Sequence, residues 1–256
     1  MRQLLVVLAL AVSLPVLAAD FERVLVPVFV NFIQPGAFGS QWVTQLSMHN
    51  AGARPVLIDP IHCTLLISPC PPFALWPNDV WRFGYEPVAS APVAVGNEGP
   101  TFLYVPAEDA PNVHFGLVVK DISRLDQTYG TEIPVVPASE FRTTKLSLLN
   151  IPVQPPFRST LRLYNGERTA TTVRVRVFPF PPGSTIVERD VTLPAIDYPT
   201  RPGYAEIGDL FDDAQRMGFD VAHVEILPSS IPIWGFVSVT NNATQQVTVV
   251  TSQPAR

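Results

Sequence analysis

Lysine is almost missing from this chain: of 17 basic residues only Lys120 and Lys145 are lysines. Arg2 falls in the leader described below, which leaves 16 basic residues against 22 acidic ones, a net charge near −6. An acidic chain with scattered arginines excludes the electrostatic footprint of nucleic-acid binding. It also lacks a basic amphipathic helix for a membrane surface. Cysteine is equally scarce, with Cys63 and Cys70 the only two, so the fold must rest on hydrophobic cores. Catalytic signatures are missing too: there is no nucleophile elbow, zincin helix, phosphate loop, dinucleotide fingerprint or EF-hand loop. After residue 19, no stretch holds the roughly 18 uninterrupted apolar residues that a membrane span requires.

What the first nineteen residues do hold is a secretory leader. Arg2 supplies a positive start, Leu4 to Leu17 is almost unbroken apolar sequence, and Ala18-Ala19 offers a small-residue cut site. Cleavage after Ala18 or after Ala19 satisfies the pattern. No cysteine follows the cut, so no lipid anchor is expected. The product is expected to be secreted or periplasmic. In that oxidising setting Cys63 and Cys70 are expected to form a disulfide. It closes a loop of about eight residues and stabilises by about 2.5 kcal/mol at most. A zinc site that adds His62 is the sharper alternative, but structural zinc takes four ligands, usually more tightly spaced. No metal and no cofactor is expected.

Proline is abundant, 28 of 256 residues, and it punctuates runs of five to eight residues rich in Val, Leu, Ile, Thr and aromatics. The runs alternate apolar with polar, which is the period of half-buried strands. Val173, Val175 and Val177 alternate with Arg174 and Arg176. Similar runs lie near 24–30, 42–49, 101–105, 114–120, 144–149, 159–164, 186–193, 221–227, 233–240 and 245–251. Many short strands with regular turns make an all-β sandwich or barrel. One segment differs. Ile207, Leu210, Phe211, Ala214 and Met217 fall at helical spacing and Gly218 follows, which predicts a helix of about three turns.

The sequence also repeats itself. Trp42-Val-Thr-Gln-Leu46-Ser-Met48-His-Asn50 matches Phe157-Arg-Ser-Thr-Leu161-Arg-Leu163-Tyr-Asn165 at an offset of 115. Phe115-Gly-Leu-Val118 echoes Trp234-Gly-Phe-Val237 at 119. Two anchors at nearly one offset predict a duplicated unit, with a boundary near residues 138–141. The segments 173–178 and 186–191 predict a hairpin whose paired positions sum to 364. That register sets Arg176 against Glu188 and Arg174 against Asp190. It also sets Arg189 opposite Val175 on the apolar face, which calls for a bulge or for something lying over Arg189.

Candidate binding residues concentrate in 70–85, where Phe73, Trp76 and Trp81 sit among prolines close to Cys70. Aromatics on a stiffened loop suit a glycan or protein contact. Against this, Trp81, Phe83 and Tyr85 alternate and suit one core face of a strand, leaving Trp76 the best single contact residue. The histidines His49, His62, His114 and His223 have no recognisable catalytic context. Asp212 and Asp213 are adjacent on the helix, hence about 100° apart, and do not converge on one atom. Asn242-Ala-Thr244 fits the N-glycosylation pattern, which matters only in a host that glycosylates.

The phrases Leu46 to Val56 and Leu161 to Asn165 resemble the first hairpin of immunoglobulin-like domains in bacterial exported proteins. Gly130 to Val135, Leu148 to Val153 and Phe236 to Asn242 resemble uncharacterised secreted tandem β-sandwich proteins of bacteria. The resemblance implies an all-β fold of two tandem immunoglobulin-like β-sandwich domains with one short helix in the second. Residues 1–19 would be the leader, 20–138 the first domain and 139–256 the second. It implies no activity, since fold alone does not carry function. Pilus-assembly chaperones are also exported pairs of such domains and hold a client's C-terminus by basic residues in an interdomain cleft. Arg142 and Lys145 are the nearest basic residues to the boundary. The expectation is therefore a non-catalytic binding or structural module with a protein or glycan partner. The alternatives are a pilus-type chaperone, or a hydrolase assembled from distant residues.

Overall fold

The computed structural model describes residues 20–30, 32–58, 73–84, 99–124, 129–179, 186–197 and 201–254. The expected leader at residues 1–19 and the expected Cys63–Cys70 disulfide, with His62 and Tyr85, lie outside them. The described residues form nineteen strands, every strand pairing antiparallel, and one α-helix. In the amino-terminal half the strands are β1 (Phe21–Val26), β2 (Gln34–Pro35), β3 (Gln41–Asn50), β4 (Val56–Ile58) and β5 (Phe73–Leu75). They continue with β6 (Val80–Gly84), β7 (Thr101–Pro106), β8 (Val113–Asp121), β9 (Thr131–Ile133) and β10 (Val136–Pro137). The carboxy-terminal half holds β11 (Leu146–Pro152), β12 (Phe157–Asn165), β13 (Thr171–Pro179), β14 (Val187–Leu193) and β15 (Gly203–Ile207). After α1 (Asp209–Arg216) come β16 (Val221–Ile226), β17 (Ile233–Asn241), β18 (Val247–Thr251) and β19 (Gln253–Pro254).

The two halves are wired alike. One sheet of the first half runs β6-β3-β8-β9, with β2 on the same edge of β3 as β6. Its counterpart runs β15-β12-β17-β18. The other sheet runs β10-β1-β7 with the β4–β5 hairpin beside β7, and its counterpart runs β14-β13-β16-β11-β19. With β2 and α1 set aside, the orders coincide strand for strand. In a constant-type immunoglobulin domain the first strand shares a sheet with the second, and the seventh with the third and sixth. Here β1 lies with β7, and β8 lies with β3. With β2 set aside, the order is thus that of a two-sheet sandwich with its first and seventh strands exchanged and its fourth, β5, paired with its third, β4, instead of lying with the second and fifth.

The matched asparagines explain why the phrase around them repeats. Asn50 Nδ2 donates to Arg54 O and Leu75 O, both at 2.8 Å, and its Oδ1 accepts the Gly52 N–H. Asn165 Nδ2 donates to Thr169 O at 2.8 Å and Pro194 O at 2.7 Å, and its Oδ1 accepts the Glu167 N–H. Both side chains are wholly buried. Each closes the turn after its strand and ties that turn to a third segment, work that a short amide can do and an apolar side chain cannot. The second echo is one residue out. Leu46 pairs with Leu117 and Leu161 with Val237, so the structural offset between β8 and β17 is 120 rather than 119. A one-residue slip exchanges the two faces of a strand, and the glycines that carried the echo, Gly116 and Gly235, face opposite ways.

The hairpin register holds: Arg174 is opposite Asp190, Arg176 opposite Glu188 and Val175 opposite Arg189. Helix α1 answers the awkward Arg189, which bonds Asp209 at 2.6 Å and Asp213 at 2.7 Å. Leu210, Phe211 and Ala214 on its other face enter the second core. The helix is eight residues long, shorter than the spacing suggests, because Ile207 belongs to β15. Met217 is the C-cap and stands half exposed, and Gly218 follows at φ +84° as the left-handed residue that ends the helix.

Two runs are buried on both faces, Val24-Leu25-Val26 in β1 and Ile233 to Val237 in β17. Their inner faces fill the cores of their own halves, and their outer faces meet. Leu25 and Phe102 join Phe141, Tyr164, Trp234 and Phe236 in one apolar cluster. Tyr164, Trp234 and Phe236 pack with ring centroids 5.6–6.3 Å apart. The Tyr164 hydroxyl donates to Pro27 O at 2.9 Å, and burial pushes its ionisation far upward, so it stays a donor. Arg23 closes the rim, its guanidinium over Phe102 and donating to Gly166 O. Each buried aromatic contributes about 2 kcal/mol or more by leaving water.

Candidate interdomain cleft

Along the outer face of β12 and β17 the chemistry changes from one end to the other. Cross-strand pairs run Tyr164–Trp234, Arg162–Phe236, Thr160–Ser238 and Arg158–Thr240. The first two pairs bear the seam. At the other two the halves part, because β1 ends at Val26 and the chain leaves as a loop toward β2. The space left between them is a cavity of about 300 Å³, floored by Arg158, Thr160, Arg162, Ser238 and Thr240. Its roof is Val28, Val30, Gln34 to Ala37 and the start of β3, with Trp42 as an aromatic wall. None of the sixteen lining residues is acidic, in a chain where acids outnumber bases.

The two arginines differ. Arg162 is neutralised by Glu206 at 2.7 Å, donates to Ser238 Oγ and lies 5.7 Å over the Phe236 ring. Arg158 has no carboxylate partner among the described residues. Its guanidinium donates to two side-chain amide oxygens, Asn242 Oδ1 at 2.6 Å and Gln245 Oε1 at 3.0 Å. It lies 5.4 Å over the ring of Phe38, and partial burial lowers its affinity for the proton. Withdrawing a cation from water without an opposite charge is costly.

The backbone around Arg158 is strained as well. Only four non-glycine residues among those described have positive φ, and two of them, Phe38 (φ 56°) and Gln245 (φ 58°), touch Arg158. Such conformations cost about 1–3 kcal/mol each and persist where the surroundings over-determine them. The surroundings are visible at Phe38. Arg124 donates to Phe38 O, and Asp121 holds Arg124 at 2.6 Å together with the Gln41 N–H and Ser123. Burial would raise the Asp121 pKa, but the hydrogen bonds from Ser123, Gln41 and Arg124 outweigh it and hold the carboxyl below its ordinary range. Gly36 lets the roof approach, since a Cβ there would stand 2.4 Å from Trp42 Nε1.

The residues singled out in the sequence lie elsewhere. Phe73 and Phe83 are buried in the first core, and Trp81 is half-buried against it, stacked on Phe73 at 5.2 Å. Trp76 stands 59% exposed, the one open aromatic of this group among the described residues. His49 stacks on His114, and His223 on Phe178, each pair facing across neighbouring strands. Asp212 is exposed while Asp213 holds Arg189 and Arg216. Arg142 donates to Phe141 O and Lys145 pairs with Glu225, neither of them in the cleft. Asn242, first residue of the sequon, accepts from Arg158 and donates to Pro155 O. Arg158, Arg162 and Trp42 lay inside the repeated phrase. The signal that could have found them is the comparison of its copies, in which Val43 and Ser47 answer to Arg158 and Arg162.

Compared with protein-family models, with curated proteins and with solved structures, the chain matches none.

Proposed function

We propose that this chain is an exported, non-catalytic binding or structural protein, two copies of one sandwich unit of the bacterial tandem immunoglobulin-like kind, acting through the cleft between them. The aromatic seam gives the pair a fixed relative position, and a fixed body can hold a cleft preorganised for a ligand. The observation that carries the reading is Arg158, a partly buried cation without an acid partner on the cleft floor, braced by two strained residues. Leader sequence and acidic surface support a secreted or periplasmic setting. The matching strand orders and the matching asparagine bonds support duplication, while the exchanged first and seventh strands and the transferred fourth set this unit apart from the constant-type order.

The test is a fragment screen of the chain from residue 20 onward, read by the NMR signal of the Trp42 indole N–H. The expected result is fragments that shift this signal in a saturable way and leave Trp76 unmoved. Hits confined to Trp76 and its neighbours would move the binding role to that loop. A second reading, the pilus-type chaperone, is favoured by one feature, the cationic cleft. It requires that a client's terminal strand also add to an exposed strand edge, which amide exchange in the presence of a client peptide would detect.

A further inference from the structure

We infer that the cleft takes a small organic carboxylate, which supplies Arg158 with the negative charge that the chain withholds. The inference rests on the cleft being the binding site and adds the class of ligand. A guanidinium has five N–H donors, and the bonds to Asn242 and Gln245 engage two of the groups, leaving donors over. The hydroxyls of Thr160 and Thr240 and the indole N–H of Trp42 make no hydrogen bond among the described residues. All of them line the same cavity. Thr240 is directly opposite Arg158 and Thr160 is two residues along β12. Unspent donors around a cation, with no acid among the described lining residues, match the acceptor-only chemistry of a carboxylate.

Size and shape narrow the class. A cavity of about 300 Å³ is at the lower end for small-molecule sites, which suits a ligand of one ring or a short chain. Trp42 supplies a flat apolar wall and Val28, Val30, Val43, Val119 and Ile133 supply aliphatic surface in the same cavity, so the body attached to the carboxylate should be apolar. A doubly charged anion fits less well, because Arg162 is already neutralised by Glu206.

Thermal unfolding of the chain from residue 20 onward tests this, with benzoate as the probe, benzamide as its neutral isostere, and sodium chloride at matched ionic strength. Benzoate is expected to raise the midpoint saturably, by roughly 5–10 °C at a hundredfold excess over its Kd. Benzamide and chloride are expected to leave it unchanged. Arg158→Gln should weaken benzoate roughly tenfold or more. Because that variant also loses a structural tie, Thr240→Asp is the decisive one. It places a carboxylate opposite Arg158 and should both raise the midpoint without ligand and abolish the benzoate response. Equal stabilisation by benzamide, or a benzoate response that survives Thr240→Asp, would overturn the inference. If neutral fragments shift Trp42 and benzoate does not, the binding cleft stands and the carboxylate falls. If nothing shifts Trp42, both fall.

Discussion

In the first half, the outer face of β3 and β8 carries the pairs His49–His114, Ser47–Gly116, Gln45–Val118 and Val43–Lys120. At the corresponding places of the second half, β12 and β17 carry Tyr164–Trp234, Arg162–Phe236, Thr160–Ser238 and Arg158–Thr240. The backbone register is the same, and in each half the first pair is two rings in contact, stacked for His49–His114 and tilted for Tyr164–Trp234. The first face is half-buried and mostly polar, apart from the buried Val43 at the cleft, with Lys120 donating to Gln45 at 2.7 Å. The second is aromatic where the halves touch and cationic where they part. The comparison teaches that two halves with one strand order present different surfaces through the side chains that point away from their own cores. The cores keep Leu46 and Met48 in one copy and Leu161 and Leu163 in the other.

Substitutions at paired positions can break the comparison. The largest contrast is expected between Phe236 and Gly116. Phe236→Ala removes a wholly buried ring from the seam and should cost about 3–5 kcal/mol in urea unfolding. Gly116→Ala adds a methyl that meets nothing within 4 Å and should be neutral or stabilise by up to about 1 kcal/mol. Next come the asparagines. Asn50→Ala and Asn165→Ala each abandon three hydrogen bonds of a buried amide and should each cost about 2–4 kcal/mol. Values that differ by more than about 1 kcal/mol would mean that the two turns are not equivalent.

A smaller effect separates the turns after β8 and β17. Asp121 accepts the Ser123 N–H and Asn241 accepts the Ala243 N–H, the same turn closed by a charged and by a neutral side chain. Since the folded pKa of Asp121 is depressed, its contribution is present above the unfolded value of about 4 and is lost as pH falls through the folded value. Stability followed from pH 7 to pH 2 should therefore fall less steeply in Asp121→Asn than in the parent chain. A slope unchanged in that variant would show that the acid loss arises elsewhere. The smallest effect belongs to the outermost charges. Arg174→Ala removes an exposed pair with Asp190 and should leave the midpoint unchanged within error.

Alternation made the strands legible, because most strands have one face in a core and one outside. The register of β13 with β14 could be read because opposite charges fix it, and Arg189 flagged a missing partner that α1 provides. The repeat was legible at Asn50 and Asn165, where hydrogen bonding allows little else. Its second echo slipped by one because it was anchored on glycine, which carries no side chain to report a face. The seam was written in Ile233-Trp-Gly-Phe-Val237, an unbroken apolar run that means burial on both sides. The cleft was not legible. Its Arg158 is braced by two residues in left-handed conformations, Phe38 and Gln245, whose side chains do not announce them, and its roof is a loop contributed from the other half. Aromatic density drew attention to 73–85 instead, where most of the rings serve the core.

The central claim is that the aromatic face of the second copy joins both units into one body. Urea unfolding of the chain from residue 20 onward, followed by amide exchange at Leu117 in the first core and at Val237 in the second, tests it directly. The account predicts one shared midpoint for both sites, separating into two in Phe236→Ser. Two midpoints already present without the substitution would contradict it.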